Sequence, residues 1–459
     1  MAAVIKIEGD KQYKKMTETP VAKLLLMLSL PAVAAMAASS LYNMTDTFFV
    51  RKLGAAASGG IGMTFPITAF IQAVGFTVGT GAGSRISLLL GEKKNREADT
   101  AALSGLVWSA AFGIIITILG AVFRYPLMTL FGAKEELLKN AADYSLYIFI
   151  SAPVMTVSFL LNNLLRAEGR TGLSMIGMLV GGAVNIALDP LLIFSCGLGV
   201  KGAAISTLIG QTSGLVLLAI PFLLRKTVLK LKLRSCLAAL SEGVIKDIVR
   251  SGLPSLFRQG LAAVASAVLN KIISPYGDNA VSGISISSKL FLLLFSVILG
   301  IGQAYQPIAG YNYSSDKHIR VKKATTAAVI FSQVCASVLA LAGYLFARSA
   351  VGIFISGNDE VVEIGTKAFR YACIGLIFTP VPVIVNMLYQ AVGRPCLSAF
   401  TASLRQGILF IPLILILPSL RGFTGAVAAQ PAADVLNFFI ALPFLISFIR
   451  KLNTKKPDR

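Results

Sequence analysis

The chain alternates between long apolar segments and short polar ones. Of its 459 residues, 55% are hydrophobic and 14% are charged. A segment of about 20 apolar residues is long enough to cross the hydrocarbon core of a bilayer as a helix. The pattern predicts an all-α membrane protein with about 12 transmembrane helices, over residues 23–49, 58–90, 101–123, 143–165, 172–194, 202–224, 251–273, 280–309, 324–347, 367–390, 397–418 and 422–449.

The positive charges fall mainly in alternate connections between these segments. The net charge is +21, and most Lys and Arg lie in the two termini and in the stretches 91–100, 164–171, 225–250, 310–323 and 391–396. By the positive-inside rule we expect both termini in the cytoplasm, which agrees with an even number of helices. A nucleic-acid-binding protein gathers its cations on one soluble face, so we expect no nucleic-acid partner.

The basic stretch 225–250 divides the predicted helices into six and six, and the two halves resemble each other. The strongest match is "LLRAEGRTGLS" at 164–174 against "LYQAVGRPCLS" at 388–398. A parallel repeat of six helices is typical of transporters that rock two bundles about a central site. We therefore predict a cytoplasmic tail, a first lobe with six helices, a basic linker, a second lobe with six helices and a second cytoplasmic tail, over residues 1–22, 23–224, 225–250, 251–449 and 450–459.

Three acids lie inside apolar segments, away from the connections: Asp46, Asp189 and Asp434. A charged side chain at the bilayer centre costs about 2.5 to 3.5 kcal/mol on insertion scales, so such residues are candidates for function. Asp46 follows Tyr42 by one helical turn, and Asp189 follows Asn185 in the same way. Asp434 has no comparable neighbour, so we rank it below the other two.

Purely structural roles for the polar residues of the first half stay open. Asp46 can lie at the interface and pair with Arg51 or Lys52. Asp189 precedes Pro190, which suits the first turn of a restarted helix. Asn162 can join two helices by hydrogen bonding, and Pro31 can fix a static kink in the first helix.

The second half carries a different set of polar residues in its apolar segments. We interpret them as the wall of a polar substrate cavity, consisting of Arg258, Gln259, Lys289, Gln303, Gln306, Asn386, Gln390 and Arg405.

Several longer motifs resemble one family of transporters. They are "LPAVAAMAASSLYNMTDTFFVRKLG", "ISLLLGEKKNREA" with its counterpart "AGYNYSSDKHIRVKKA", "RAEGRTGLSMIGMLVGGAVNIALDPLLIF" and "GAAIST". Together they resemble the multidrug and toxic compound extrusion (MATE) transporters, in the DinF-like branch with its MepA-like members. The resemblance covers nearly the whole chain.

The resemblance implies 12 helices in two six-helix lobes around a central cavity, the MATE fold. It also implies export of amphipathic, often cationic compounds in exchange for H⁺ or Na⁺. By resemblance, the coupling cation binds in the first lobe at Asp46, Asn185, Asp189 and Thr207, surrounded by Pro31, Tyr42, Tyr144 and Asn162. The other large branch carries acids in the seventh and tenth helices, and this sequence has none in those helix cores.

We therefore predict a secondary antiporter in the cell membrane of a prokaryote, acting as a monomer on small amphipathic molecules, with membrane lipid around it and no cofactor besides the coupling ion. The alternative is a lipid-linked precursor flippase, because Arg258, Lys289 and Arg405 suit an anionic headgroup. A membrane enzyme lacks support: the one histidine, His318, falls in a predicted cytoplasmic connection, and no nucleophile has a plausible base beside it.

Overall fold

The computed structural model describes residues 2–51, 55–131, 135–231, 242–354 and 358–454. Side chains are described over residues 9–41, 49, 63–131, 137–231, 243–354 and 358–452. All regular secondary structure within these residues is helical, which confirms the predicted all-α fold class.

In the described residues, seven helices end before the basic linker and eight begin within or after it. The first seven are α1 (Ala2–Glu18), α2 (Val21–Arg51), α3 (Ala55–Gly91), α4 (Asn95–Leu130), α5 (Glu135–Ala167), α6 (Thr171–Pro190) and α7 (Gly199–Leu223). The others are α8 (Glu242–Ile273), α9 (Asp278–Ser314), α10 (His318–Leu345), α11 (Ala347–Gly352), α12 (Asp359–Leu376), α13 (Pro380–Ala391), α14 (Pro395–Ser403) and α15 (Phe410–Thr454). π-Helical turns continue α6 and α14, over Leu191–Ser195 and Leu404–Leu409.

The helical spans of the described residues coincide with the apolar segments that predict crossings. Ten helical spans in the described residues are long and apolar enough to cross a membrane. The helices α12 and α13, which meet at a bend of 53°, are apolar enough together to add an eleventh if the pair is one broken span. The long span Pro395–Leu452 contains two helices, because Arg421 and Gly422 have non-helical dihedral angles inside it, and this break falls between the predicted segments 397–418 and 422–449.

Several helices extend beyond their apolar segments. The helix α8 begins at Glu242, although the apolar segment begins at residue 251, and α4 begins at Asn95. Hydropathy detects only the part of a helix that suits lipid, so the polar turns at its ends are missed. The predicted tail also contains a helix, α1, and the helical assignment of α2 continues through Pro31, where a kink stays a prediction.

The helices pack into two compact units. Unit 1 contains the chain up to residue 15 and residues 38–256, and unit 2 contains residues 16–37 and 257–459. The helices α1, α2 and α8 each contribute to both units, since the divisions fall inside them. The predicted lobes, 23–224 and 251–449, assign each helix whole to one half, and those boundaries stay a prediction.

Equivalent turns in the two halves have the same unusual backbone conformation. Lys93, after α3, has φ 60°, and Asp316, after α9, has φ 57°. Gly169, after α5, has φ 74°, and Gly393, after α13, has φ 72°. Positive φ is uncommon outside glycine. Its recurrence at matched positions agrees with the predicted parallel repeat.

Each unit has an apolar core of its own. In unit 1, Ile71 of α3 packs with Ile148 and Met155 of α5. In unit 2, Phe410 and Ile414 of α15 belong to a second core. Large apolar side chains also cover outer faces, such as Leu119 of α4, a distribution expected where lipid replaces water.

Candidate cation-coupling site

Asn185 and Asp189 lie one turn apart near the end of α6, in unit 1. Both side chains are buried, Asp189 completely. Side chains four residues apart share a helix face, so the amide and the carboxyl group lie side by side. Immediately afterwards, at Leu191, the helix changes to a π-helical turn. Such turns are frequent at functional sites because they shift the register of side chains.

The helix α7 supplies two hydroxyl groups to this pair. Ser206 is buried and donates a hydrogen bond to Oδ1 of Asp189. Nδ2 of Asn185 lies 3.4 Å from Oγ of Ser206 and 3.5 Å from Oγ1 of Thr207. The direct partner of the carboxylate in the described part of unit 1 is thus Ser206, whereas the predicted Thr207 contacts the amide. Sequence reasoning missed Ser206, although it stands in the quoted motif "GAAIST".

Glycines allow α6 and α7 to approach closely enough for these contacts. A Cβ atom on Gly210 would lie 2.7 Å from the carbonyl oxygen of Gly181 and 2.9 Å from Cβ of Asn185. A Cβ atom on Gly181 would lie 3.0 Å from the carbonyl oxygen of Gly210. The two backbones therefore touch at this level, as small residues permit in membrane helix packing.

Two oxygen atoms of the pair have no donor among the described residues. Oδ1 of Asn185 and Oδ2 of Asp189 are buried, and neither has a hydrogen-bond partner among the described residues. Amide and carboxylate oxygens only accept hydrogen bonds, and leaving them buried without a partner costs free energy. A proton or a small cation between them removes that cost.

The structure places the other predicted first-lobe residues as follows. Asn162 of α5 donates to Ser174 of α6, with 2.7 Å between Nδ2 and Oγ, so it joins two helices as the packing alternative anticipated. Tyr144 belongs to the apolar core of unit 1. Asp46 and Tyr42 lie on α2, but their side chains fall outside the described residues. Their part in the site stays a prediction.

The predicted second-lobe residues are divided among different contacts. Gln306 of α9 donates to Gln390 of α13, with 3.1 Å between the two side chains. Asn386 donates to Ser398 at the junction of α13 and α14. Gln303 is buried. Arg258, Gln259 and Lys289 are half-buried, and their lining of a substrate cavity stays a prediction.

The reason for ranking Asp434 low, that it lacks a partner, is wrong. Asp434, ranked low because it lacked a partner, forms an ion pair with Arg405, with Oδ1 2.7 Å from Nε. Gln430 adds a hydrogen bond of 3.2 Å to the same oxygen. The guanidinium also lies 4.3 Å from the centre of the Phe295 ring. The sequence carries a signal for this pair, because opposite charges within membrane segments usually pair with one another.

A second buried acid in unit 1 lies at the turn between α5 and α6, outside the membrane-spanning segments. Oε1 of Glu168 accepts the backbone N–H of Leu229 at 2.8 Å, and Oε2 lies 3.2 Å from Nε of Arg170. The side-chain amide of Gln12 donates to the Glu168 carbonyl. Burial raises the pKa of Glu168 to about 7, although Leu229 and Arg170 oppose the shift. The first-half motif contains this residue, and sequence reasoning assigned it no role.

A parallel repeat within a multi-pass helical chain, with an acid buried among the spanning helices of one unit, is the pattern of a membrane transporter built from two related halves. The comparisons with known proteins agree. The chain belongs to the MatE family, whose model matches residues 31–191 and 254–416, one segment in each half. This confirms the family to which the motifs were assigned. The members are transporters and not enzymes.

Relatives and solved structures match almost the whole chain. The multidrug export protein MepA of Staphylococcus aureus strain MRSA252 is 28% identical over 434 residues, covering 94% of this chain and 95% of that protein. MepA of Staphylococcus haemolyticus strain JCSC1435 is 28% identical over 453 residues, covering 97% and 98%.

Two solved structures show the same fold. An outward-facing multidrug resistance MATE family transporter of the MOP superfamily has a TM-score of 0.92 at 25% identity, covering 97% of this chain and 99% of its own. A MOP superfamily transporter from Pyrococcus furiosus, described as having a binding pocket of reverse polarity, has a TM-score of 0.91 at 25% identity with the same coverage. These matches confirm the predicted MATE fold.

Proposed function

We propose that this protein exports amphipathic cationic compounds in exchange for H⁺ or Na⁺, and that the coupling cation binds between Asp189 and Asn185. The observation that carries the proposal is the pair of buried oxygens, Oδ2 of Asp189 and Oδ1 of Asn185, which have no donor in the described part of the chain. Relatives that share 28% of their residues with this chain are named multidrug export proteins, which supports the substrate class.

The coupling follows from reciprocity between two ligands. The cation neutralises Asp189 and fills the space between the oxygens, which favours a conformation of unit 1 that holds the exported compound poorly. Linkage then requires that the bound compound weaken cation binding by the same factor. Alternation between an outward-facing and an inward-facing state converts this antagonism into exchange. By the resemblance, Asp46 and Thr207 complete the cation site.

The alternative, flipping of an anionic lipid-linked precursor, depended on a basic second lobe. Of the three cations that favoured it, Arg405 is neutralised by Asp434. The remaining two, Arg258 and Lys289, provide less charge for an anionic headgroup. This observation favours export of cations over lipid flipping.

The test is efflux of ethidium, which carries a permanent positive charge, from liposomes that contain the purified protein. The external medium is made acidic in one experiment and rich in Na⁺ in another. We expect one gradient to drive efflux in the parent, and Asp189→Asn and Asp46→Asn to abolish it. The matched control is Asp143→Asn, because Asp143 is an acid of unit 1 that pairs with Lys201 at 3.3 Å. Efflux that persists in Asp189→Asn contradicts the proposal.

A further inference from the structure

The hydroxyl group of Ser206 lies between two acceptors and has only one hydrogen to donate. One acceptor is Oδ1 of Asp189, and the other is the carbonyl oxygen of Ala203, at 2.9 Å. Ser206 also lies near a donor, since Nδ2 of Asn185 is 3.4 Å from its Oγ. The hydroxyl can therefore change its acceptor without any movement of the helices.

The charge of Asp189 decides which acceptor is preferred. A hydrogen bond to a carboxylate is roughly twice as strong as one between neutral groups. When Asp189 is ionised, the hydrogen of Ser206 goes to Oδ1. When Asp189 is neutral, that advantage is lost, and the Ala203 carbonyl becomes a competing acceptor. The Thr207 hydroxyl also lies 2.9 Å from that carbonyl, so Ala203 holds the Ser206 hydrogen weakly and releases it when the charge returns.

A proton on Asp189 supplies the hydrogen that two buried oxygens lack among the described residues, Oδ1 of Asn185 and Oδ2 of Asp189. If the proton is placed on Oδ2 of Asp189, it can be donated to Oδ1 of Asn185, one turn away. The amide of Asn185 then donates to Ser206, and Ser206 donates to Ala203. The two oxygens that lack a donor in the ionised state, Oδ2 of Asp189 and Oδ1 of Asn185, are then joined by the proton, while Oδ1 of Asp189 gives up the hydrogen of Ser206.

The charged side chains on the helices around Asp189 have other partners. On the two helices that pack against α6, Lys201 of α7 pairs with Asp143 of α5, and Arg166 of α5 donates to Asn163. None of these charged groups forms an ion pair with Asp189 in the described residues. The side chains of Tyr42 and Asp46 on α2 fall outside the described residues, so pH-dependent binding is also measured in Asp46→Asn and Tyr42→Phe.

We propose that Ser206 is a positioning residue that sets the protonation equilibrium of Asp189, donating to the carboxylate when it is charged and to the Ala203 carbonyl when it is neutral. The inference rests on the proposed function, because it assumes that Asp189 is the coupling acid and that its ligand is a proton. It assigns a role to a residue that stands in the motif "GAAIST" but was not part of the predicted site.

The experiment measures binding of tetraphenylphosphonium to the purified protein as a function of pH. This cation cannot be protonated, so any pH dependence comes from the protein. Binding is expected to rise with pH as Asp189 loses its proton. Ser206→Ala removes a bond that favours the ionised form more than the neutral one, so the midpoint moves to higher pH by about one unit. Ser206→Thr keeps the hydroxyl and restores the parent midpoint.

Three further measurements make the result decisive. Thr212→Val is the control, because the exposed Thr212 hydroxyl of α7 donates only to its own helix, at 2.7 Å from the Leu208 carbonyl. Infrared difference spectra identify the carbonyl stretch of protonated Asp189 by its loss in Asp189→Asn. We expect Ser206→Ala to shift the frequency of this band, whereas a purely structural role of Ser206 would leave it in place. If Ser206→Ala does not fold, Ser206→Cys takes its place, since a thiol is a weak donor and should shift the midpoint in the same direction.

The outcomes separate this inference from the proposed function. If Asp189→Asn abolishes the pH dependence but Ser206→Ala and Ser206→Cys keep the parent midpoint, the inference is overturned and the coupling site stands. Efflux driven by Na⁺ alone, with tetraphenylphosphonium binding independent of pH, also overturns the inference and leaves the coupling site in place. If Asp189→Asn behaves as the parent does, the coupling site itself is wrong, and the role of Ser206 falls with it.

Discussion

Arg405 and Asp434 form an ion pair between the π-helical turn that follows α14 and the second crossing of α15, with 2.7 Å between Nε and Oδ1. Asp434 is almost completely buried. Loss of one partner leaves the other charge buried alone, which costs about 3 to 5 kcal/mol, whereas apolar replacement of both is often neutral. We expect Arg405→Met and Asp434→Leu each to lower the Tm strongly, and the double variant to recover most of the loss. Thermal unfolding of the purified proteins is the measurement. A double variant as unstable as either single one would show that the loss of stability does not come from leaving one charge buried without its partner.

The contact between Gly181 and Gly210 predicts the effect of one added methyl group. Gly210→Ala places Cβ against the Gly181 carbonyl and against Asn185, so α6 and α7 must separate. Overpacking of this kind costs about 1 to 3 kcal/mol. Because the shift also moves Asn185 away from Ser206, we expect the variant to lose most of its efflux even at temperatures well below its Tm. The control is Gly172→Ala on α6, where a Cβ atom meets nothing within 4 Å. Equal behaviour of the two alanine variants would contradict the close contact.

The turn between α5 and α6 predicts a pH-dependent stability. The pKa of Glu168 in the folded protein is about 7, above its ordinary value of 4.5, so the folded state keeps a proton that the unfolded state releases between these values. Its contribution, about 3 kcal/mol, is complete below pH 4.5 and is lost as the pH rises through 7. The Tm of the parent should therefore fall across this window.

The variant Glu168→Gln should flatten that slope, because it stays neutral at every pH. The control is Glu92→Gln, which removes an acid from a more exposed pair with Lys94, at 2.8 Å. The measurement is the Tm in detergent at several pH values from about 4.5 to about 8. An unchanged slope in Glu168→Gln would assign the pH dependence to another group.

The repeat predicts equal effects at two matched positions. Asn162 donates to Ser174 with 2.7 Å between Nδ2 and Oγ, and Asn386 donates to Ser398 with 3.1 Å between the same atoms. Each asparagine joins one helix to the next in its own unit. We expect Asn162→Ala and Asn386→Ala to destabilise the protein by similar amounts, about 1 to 3 kcal/mol, with the coupling ion unchanged.

The check is Tm together with ion dependence of ethidium efflux, compared with Ser403→Ala, which removes only a bond of 2.8 Å within one helix. If Asn162→Ala changes the coupling ion or its pH profile while Asn386→Ala does not, Asn162 belongs to the coupling network and not to packing alone.

Much of the fold follows from the sequence, because the bilayer imposes a length and a composition on every crossing. Hydropathy alone predicts 12 crossings, including the division near residue 421, where the long helix α15 changes direction. The repeat is visible in the aligned letters around Gly169 and Gly393, and the structure gives these glycines the same positive φ. Helical periodicity likewise predicts that Asn185 and Asp189 share a face.

The tertiary structure alone decides which residues from other helices meet that face. Ser206 and Thr207 are adjacent in the chain, and their side chains point in directions about 100° apart on α7. Only the docking of α7 against α6, at the level of Gly181 and Gly210, determines that Ser206 reaches the carboxylate. The pairing of Arg405 with Asp434 likewise depends on how α15 folds back after its first crossing. Sequence therefore determines the helices and the acids that they carry, because these depend on local composition and period. Packing determines the partners of those acids, because the partners are distant in the chain and are selected by the orientation of whole helices.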